Sequence, residues 1–163
     1  MPITSAQQQD LLKLGVGMFN ASLGGYIGDL ASAVAPATGT GATIAQLYDS
    51  LANNAAFKGL NFAYSSASTN GQFATYYANQ VLGASVTAAN VTLAATYFTS
   101  LLDGGASRGS VMKTAVDYLS SAGGLADTTW GPAAQQFVNK VTVATDYTIA
   151  KSVIHSARRF SYE

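Results

Sequence analysis

The chain has 163 residues, eight basic and eight acidic side chains, no net charge at pH 7 and no cysteine. A chain of this length buries about two-thirds of its unfolded surface, so a single domain folds without metal or disulfide staples. Only 10% of residues are charged, against about 25% in an average soluble protein. With no basic stripe the composition excludes nucleic acid as a partner, and the lack of cysteine excludes thiolate chemistry.

The first residues, "MPITSAQQQDLLK", contain no basic segment followed by an apolar one, so they read as lacking a cleavable secretory signal. No apolar run of about 18 residues is present to span a bilayer. Leu12, Val16 and Phe19 recur at helical spacing behind Ser5, a candidate N-cap, and predict a helix over 5–20. After Gly24-Gly25, "YIGDLASAVA" resumes a shorter helical pattern, and "PATGTGAT" over 36–43 is a loop rich in helix breakers. Thr43 then precedes a run with Leu47 and Leu51 on one face.

"NFAYSSASTNG", over 61–71, reads as a polar connection. Phe73, Tyr76, Tyr77 and Val81 mark the next helix, which stops at Gly83. Another starts near Thr87 with Val91, Ala95, Phe98 and Leu102 on one face and runs into "LLDGG". Ser107 opens a helix whose apolar face is Val111, Ala115, Leu119 and Ala122, closed by Gly123-Gly124. Pro132 suits the first turn of a last helix carrying Phe137, Val141, Ala144 and Thr148. The β-branched "VTVATDYTI" over 141–149 competes as a strand.

Thr43, Leu47 and Leu51 fall on Ser107, Val111 and Ala115 when "GTGATIAQLYDSL" is laid over "GGASRGSVMKTAV". This weak internal repeat covers about 14–60 and 73–122, with a closing helix over 132–154. The pattern predicts an all-α protein: a single domain of packed helical hairpins over 1–154, about six to seven helices, with a short, extended C-terminal tail over 155–163.

Chemistry is sparse. "DGGASRG" lacks the preceding strand and the Gly-x4-Gly-Lys-Ser/Thr spacing of a phosphate loop, and reads as a hinge in which Asp103 pairs with Arg108 and Ser107 caps a helix. Gly15-x-Gly17 lies within a helical pattern and suggests close helix packing. The single histidine, His155, has no second imidazole to build a zinc site with. The carboxylates are scattered singly, with no recognisable calcium loop, so neither a cofactor nor an enzyme is expected. Most of the nine Tyr and seven Phe fall on apolar helical faces. Tyr26, Tyr64, Trp130, Phe160 and Tyr162 do not, and with Arg158 and Arg159 they are the candidates for contacts with a neighbouring molecule.

"FATYYANQVLG", a helix ending "LLDGG", and "ASRGSVMKTAV" together resemble the repeated helical domain of unknown function of bacterial surface-layer and RTX-type secreted proteins. The positions concerned are Phe73 to Gly83, Val91 to Leu102 and Gly105 to Gly109. "SLANNAAFKG" and "FVNKVTVATDYTIA" are similar to the flanking stretches of that family. The likeness departs from the family after "VLG", where Ala84 stands in place of an expected Arg. The resemblance implies type I export without an N-terminal signal, a location outside the cell or on the surface of a bacterium, and a structural role.

The expected function is therefore a non-enzymatic, self-assembling subunit or module of a surface layer, extracellular filament or adhesin. Its partner would be itself, with the tail reaching onto a neighbouring copy. The alternative is a carbohydrate-binding attachment module that recognises lipopolysaccharide or exopolysaccharide through Tyr and Trp.

Overall fold

The computed structural model describes residues 3–36 and 40–160, with the segment 149–160 described by its backbone alone. Among the described residues every regular element is helical, and there are nine α-helices. The chain divides into two compact units, one made of Met1–Ile44 with Asn139–Glu163 and the other of Ala45–Val138.

In the first unit, α1 (Ser5–Phe19) is followed by a 3₁₀ turn at Gly24–Tyr26 and by α2 (Ile27–Val34). Thr4, not Ser5, caps α1, in a reciprocal box with Gln7: the Thr4 hydroxyl accepts from the Gln7 N–H at 3.1 Å and Gln7 Oε1 accepts from the Thr4 N–H at 2.9 Å. Leu11, Leu12, Leu14, Val16 and Met18 are buried. A Cβ at Gly15 would fall 2.6 Å from Leu23 Cγ, so the glycine of "GVG" serves the close approach of the chain entering α2. Asn20 ends α1 in the left-handed region at φ 51°, and its side-chain oxygen accepts from Lys140 Nζ at 2.9 Å.

The last helix, α9 (Gly131–Phe160), is continuous through 141–149. The β-branched residues there are compatible with a helix because their hydroxyls return to its own backbone: Thr145 donates to Val141 O and Thr148 to Ala144 O, both at 2.8 Å. The backbone of the expected tail is helical as far as Phe160.

The second unit holds α3 (Ile44–Asn53) from its second residue, α4 (Ala55–Leu60), a 3₁₀ turn at Phe62–Tyr64, α5 (Asn70–Leu82), α6 (Ala88–Asp103), α7 (Arg108–Leu119), α8 (Ala122–Ala126) and the start of α9. The nine helices exceed the expected six to seven, and the two that the spacing does not predict, α4 and α8, are short pieces started by a side-chain cap. Asn54 Oδ1 accepts from the Ala56 N–H at 2.8 Å to begin α4. Ser121 Oγ accepts from the Gly124 N–H at 3.0 Å to begin α8. The helix expected over 107–122 therefore ends at Leu119, and Gly124 starts a new turn instead of closing the old one. A Cβ on Gly124 would lie 2.1 Å from the Tyr118 carbonyl oxygen.

The apolar faces of α5, α6 and α7 meet in the core. Phe73, Tyr77, Val81, Val91, Ala95, Phe98, Leu102, Val111, Ala115 and Leu119 are all buried, as their helical spacing predicts, whereas Tyr76 and Ala122, read with them, are exposed because Tyr76 faces outward on α5 and Ala122 falls beyond the end of α7 at the start of α8. Aromatic rings run through this core in sequence. Phe57 stacks on Tyr64 with centroids 4.5 Å apart, Tyr64 meets Phe73 at 5.8 Å, Phe73 meets Tyr77 at 5.9 Å, and Tyr77 meets Phe98 at 5.9 Å. Contacts of this kind add about 0.5–1.5 kcal/mol each beyond the area they bury.

Candidate functional site

Three features of the second unit bear on function, and the first is the "GGASRG" turn. Gly105 adopts φ 101°, a conformation that favours glycine. Its N–H donates to Leu102 O and the Ala106 N–H donates to Leu101 O, both at 3.0 Å, the paired bonds that end a helix in a Schellman turn. Ser107 caps α7 by accepting from the Ser110 N–H at 3.1 Å, and its own hydroxyl donates to Asp49.

Arg108 does not pair with Asp103 as the sequence suggests. Asp103 accepts from Asn70 at 2.8 Å, and Arg108 turns the other way, donating to the backbone carbonyls of Tyr64 at 3.3 Å, Ser65 at 2.9 Å and Ser68 at 2.8 Å. Its guanidinium carbon lies 4.9 Å from the centroid of the Phe73 ring, within cation–π range. Partial burial lowers the guanidinium pKa. Arg108 thus holds the loop 61–71 against the core, with Ala63, Tyr64 and Ser68 buried.

Tyr64 is the clearest correction among the candidate contact residues. It is 3% exposed, between Phe57 and Phe73, and its hydroxyl donates to Gln80 Oε1. Burial, with Tyr76 a smaller contributor, raises its pKa well above the usual phenol value. The polar residues around it suggest a place outside, yet Ser68 is buried too, donating to Ala63 O at 2.6 Å.

The second feature is an apolar groove of about 330 Å³. Val81 and Leu82 contribute from α5, Leu93, Tyr97 and Phe98 from α6, and Tyr118 and Leu119 from α7. Trp130, half-buried, completes the wall. Leu93 is 61% and Tyr97 55% exposed. Asp127 organises one side: its Oδ1 accepts from the Thr129 N–H at 2.7 Å and the Trp130 N–H at 2.9 Å, and its Oδ2 accepts from the Tyr118 hydroxyl at 2.7 Å. The Trp130 N–H, then the Tyr118 hydroxyl and the Thr129 N–H, hold the Asp127 carboxyl below its ordinary pKa. The same hydrogen bond raises the Tyr118 phenol.

The third feature is the turn between α4 and α5, where Leu60 and Phe62 are exposed. In the first unit Tyr26 is 74% exposed. The Arg158, Arg159 and Phe160 side chains, that of His155, and the whole of Tyr162 lie outside the described residues. Among the described residues no group of three or more His, Asp or Glu is placed to hold a metal ion, and no helix is long and apolar enough to cross a membrane.

Sequence reading missed Leu93, Tyr97, Tyr118 and Asp127. The signal was present for the first two, since Leu93 and Tyr97 are four apart on α6, beside the face of Val91, Ala95 and Phe98. The Tyr118–Asp127 contact depends on how the chain turns through α8 and had no local signature. No family model matches the chain, and neither does any curated protein or solved structure. The likeness to the surface-layer and RTX-type helical domain rests on the sequence motifs alone.

Proposed function

We propose that the protein is a non-enzymatic, self-associating structural subunit or module of the kind that builds a bacterial surface layer, extracellular filament or adhesin. The observation that carries this reading is the apolar groove with Leu93 and Tyr97 left largely in water beside it. Burying the apolar area such side chains leave in water is favourable in proportion to that area, at roughly 25 cal/mol per Å², and contiguous exposed apolar surface marks an interaction site. The balanced, sparse charge removes the long-range repulsion that would hold copies apart. A place outside the cell belongs to the same proposal and rests on the motif resemblance. The role as proposed calls for no cofactor.

A carbohydrate-binding role has one observation in its favour: Trp130, Tyr97 and Tyr118 line a single groove, and aromatic faces stack on sugar rings. Sugar recognition also needs free polar groups to fix orientation. Two of the polar groups here are engaged, the Tyr118 hydroxyl on Asp127 and the Thr114 hydroxyl on Ser110 O at 2.8 Å. An apolar protein surface suits the groove better.

The test is electron microscopy of concentrated protein alongside a glycan-binding screen. Assemblies that disappear in Leu93→Asp, with no glycan retained, are expected. A dispersed monomer that binds glycans and loses them in Trp130→Ala would replace this reading with the carbohydrate one.

A further inference from the structure

The second unit carries two unpartnered apolar features that share no residue: the groove, and a knob formed by Leu60 and Phe62. We infer that the knob of one copy seats in the groove of the next, so that copies join head to tail. The inference rests on the self-association reading above and names its interface.

The exposed pair sits on an ordered turn. Asn61 caps the 3₁₀ turn by accepting from the Ala63 N–H at 2.9 Å, and Phe57 and Tyr64 on either side of the exposed pair are buried and stacked on each other. Arg108 pins the carbonyls of Tyr64, Ser65 and Ser68 just beyond. Phe62, 61% exposed, is therefore presented on a turn that is already ordered, which lowers the entropic cost of docking it.

Size and charge agree with that occupant. An apolar cavity of roughly 150 Å³ holds one benzene ring, so a groove of about 330 Å³ has room for the phenyl of Phe62 with the isobutyl of Leu60. Lys58 stands two residues before Leu60, and no carboxylate lies within ion-pair distance of it among the described residues. On the groove side Asp117 is paired with Lys113 at 2.6 Å, which leaves the Asp127 carboxylate as the uncompensated charge beside Tyr118. A cation near the knob and an anion beside the groove favour knob-to-groove contact over knob-to-knob or groove-to-groove contact. Because the joined patches differ, the contact is heterologous and builds rings or open filaments, not an isolated symmetric dimer.

Size-exclusion chromatography with light scattering on Phe62→Asp, Leu93→Asp and their mixture tests this. Both positions are exposed, so both variants fold, and circular dichroism checks that they do. Each variant alone is expected to run as a monomer, with association weakened at least about tenfold. Mixing them restores one intact knob facing one intact groove, and a 1:1 heterodimer that grows no further is the expected product. Lys58→Glu is expected to weaken wild-type assembly as well. A wild type that assembles while Phe62→Asp assembles equally well overturns the knob and leaves self-association standing. A wild type that stays monomeric at every concentration overturns both. Retention of an apolar small molecule by the groove of such a monomer would assign the groove to a ligand instead.

Discussion

Arg108 Nη2 donates to the carbonyl of Ser68 at 2.8 Å across 40 residues of chain. With the bonds to Tyr64 and Ser65 it ties the start of α7 to the loop between α4 and α5. Hydrogen bonds from charged donors contribute about 1.5–3 kcal/mol each, and losing them strands buried acceptors. Arg108→Ala is expected to destabilise the protein by about 2–4 kcal/mol in urea unfolding. Arg108→Lys recovers only part of that, because an ammonium cannot fork to three carbonyls.

Two glycines predict opposite signs. A Cβ at Gly109 would sit 2.6 Å from backbone atoms of Tyr48 and Asp49, so α7 and α3 must separate to admit it, and Gly109→Ala is expected to cost about 1–3 kcal/mol. Gly59, inside α4, has open space around its Cβ direction and no positive φ. Gly59→Ala is expected to stabilise by about 0.4–1 kcal/mol through the unfolded chain and helix propensity. Thermal unfolding of both variants reads the contrast directly.

The Tyr118–Asp127 bond makes stability depend on pH at both ends. Asp127 has a depressed pKa in the fold, so its contribution is present above the unfolded carboxylate value of about 3.9 and is lost as pH falls through the folded value. Tyr118 has a raised pKa, so its contribution is present below about 10 and is lost as pH climbs through the folded value. Asp127→Asn keeps an acceptor for the Thr129 and Trp130 N–H groups but cannot titrate. The melting-temperature gap between wild type and Asp127→Asn is expected to shrink below pH 4, while Tyr118→Phe flattens the alkaline limb. A gap constant from pH 2.5 to 6 contradicts the assignment.

Most helices were legible in the sequence for a local reason. Thr87 and Ser107 are N-caps whose hydroxyls accept from Asn90 and Ser110, and Gly83 and Gly105 end helices at positive φ. The buried stripe of α6, Val91 through Leu102, follows from period alone. The loop 61–71 misled because its polarity is used internally: Ser68, Asn61 and the carbonyls facing Arg108 satisfy one another in place of water, which lets Tyr64 go inside. The groove was illegible for a different reason. Leu93, Tyr97, Tyr118 and Trp130 come from three separate segments, and only packing makes them neighbours.

The groove variant should leave the fold alone. Leu93 is exposed on α6, where substitutions usually change stability by about 0.5 kcal/mol or less. Leu93→Asp is expected to melt within a few degrees of wild type, and a large fall would show that Leu93 belongs to the core.

Sedimentation equilibrium of the wild-type protein over a wide range of concentrations measures the central claim. Self-association through the groove predicts a weight-average mass that climbs above the monomer with concentration and returns to the monomer value in Leu93→Asp. A wild-type mass that stays at the monomer value throughout would contradict it.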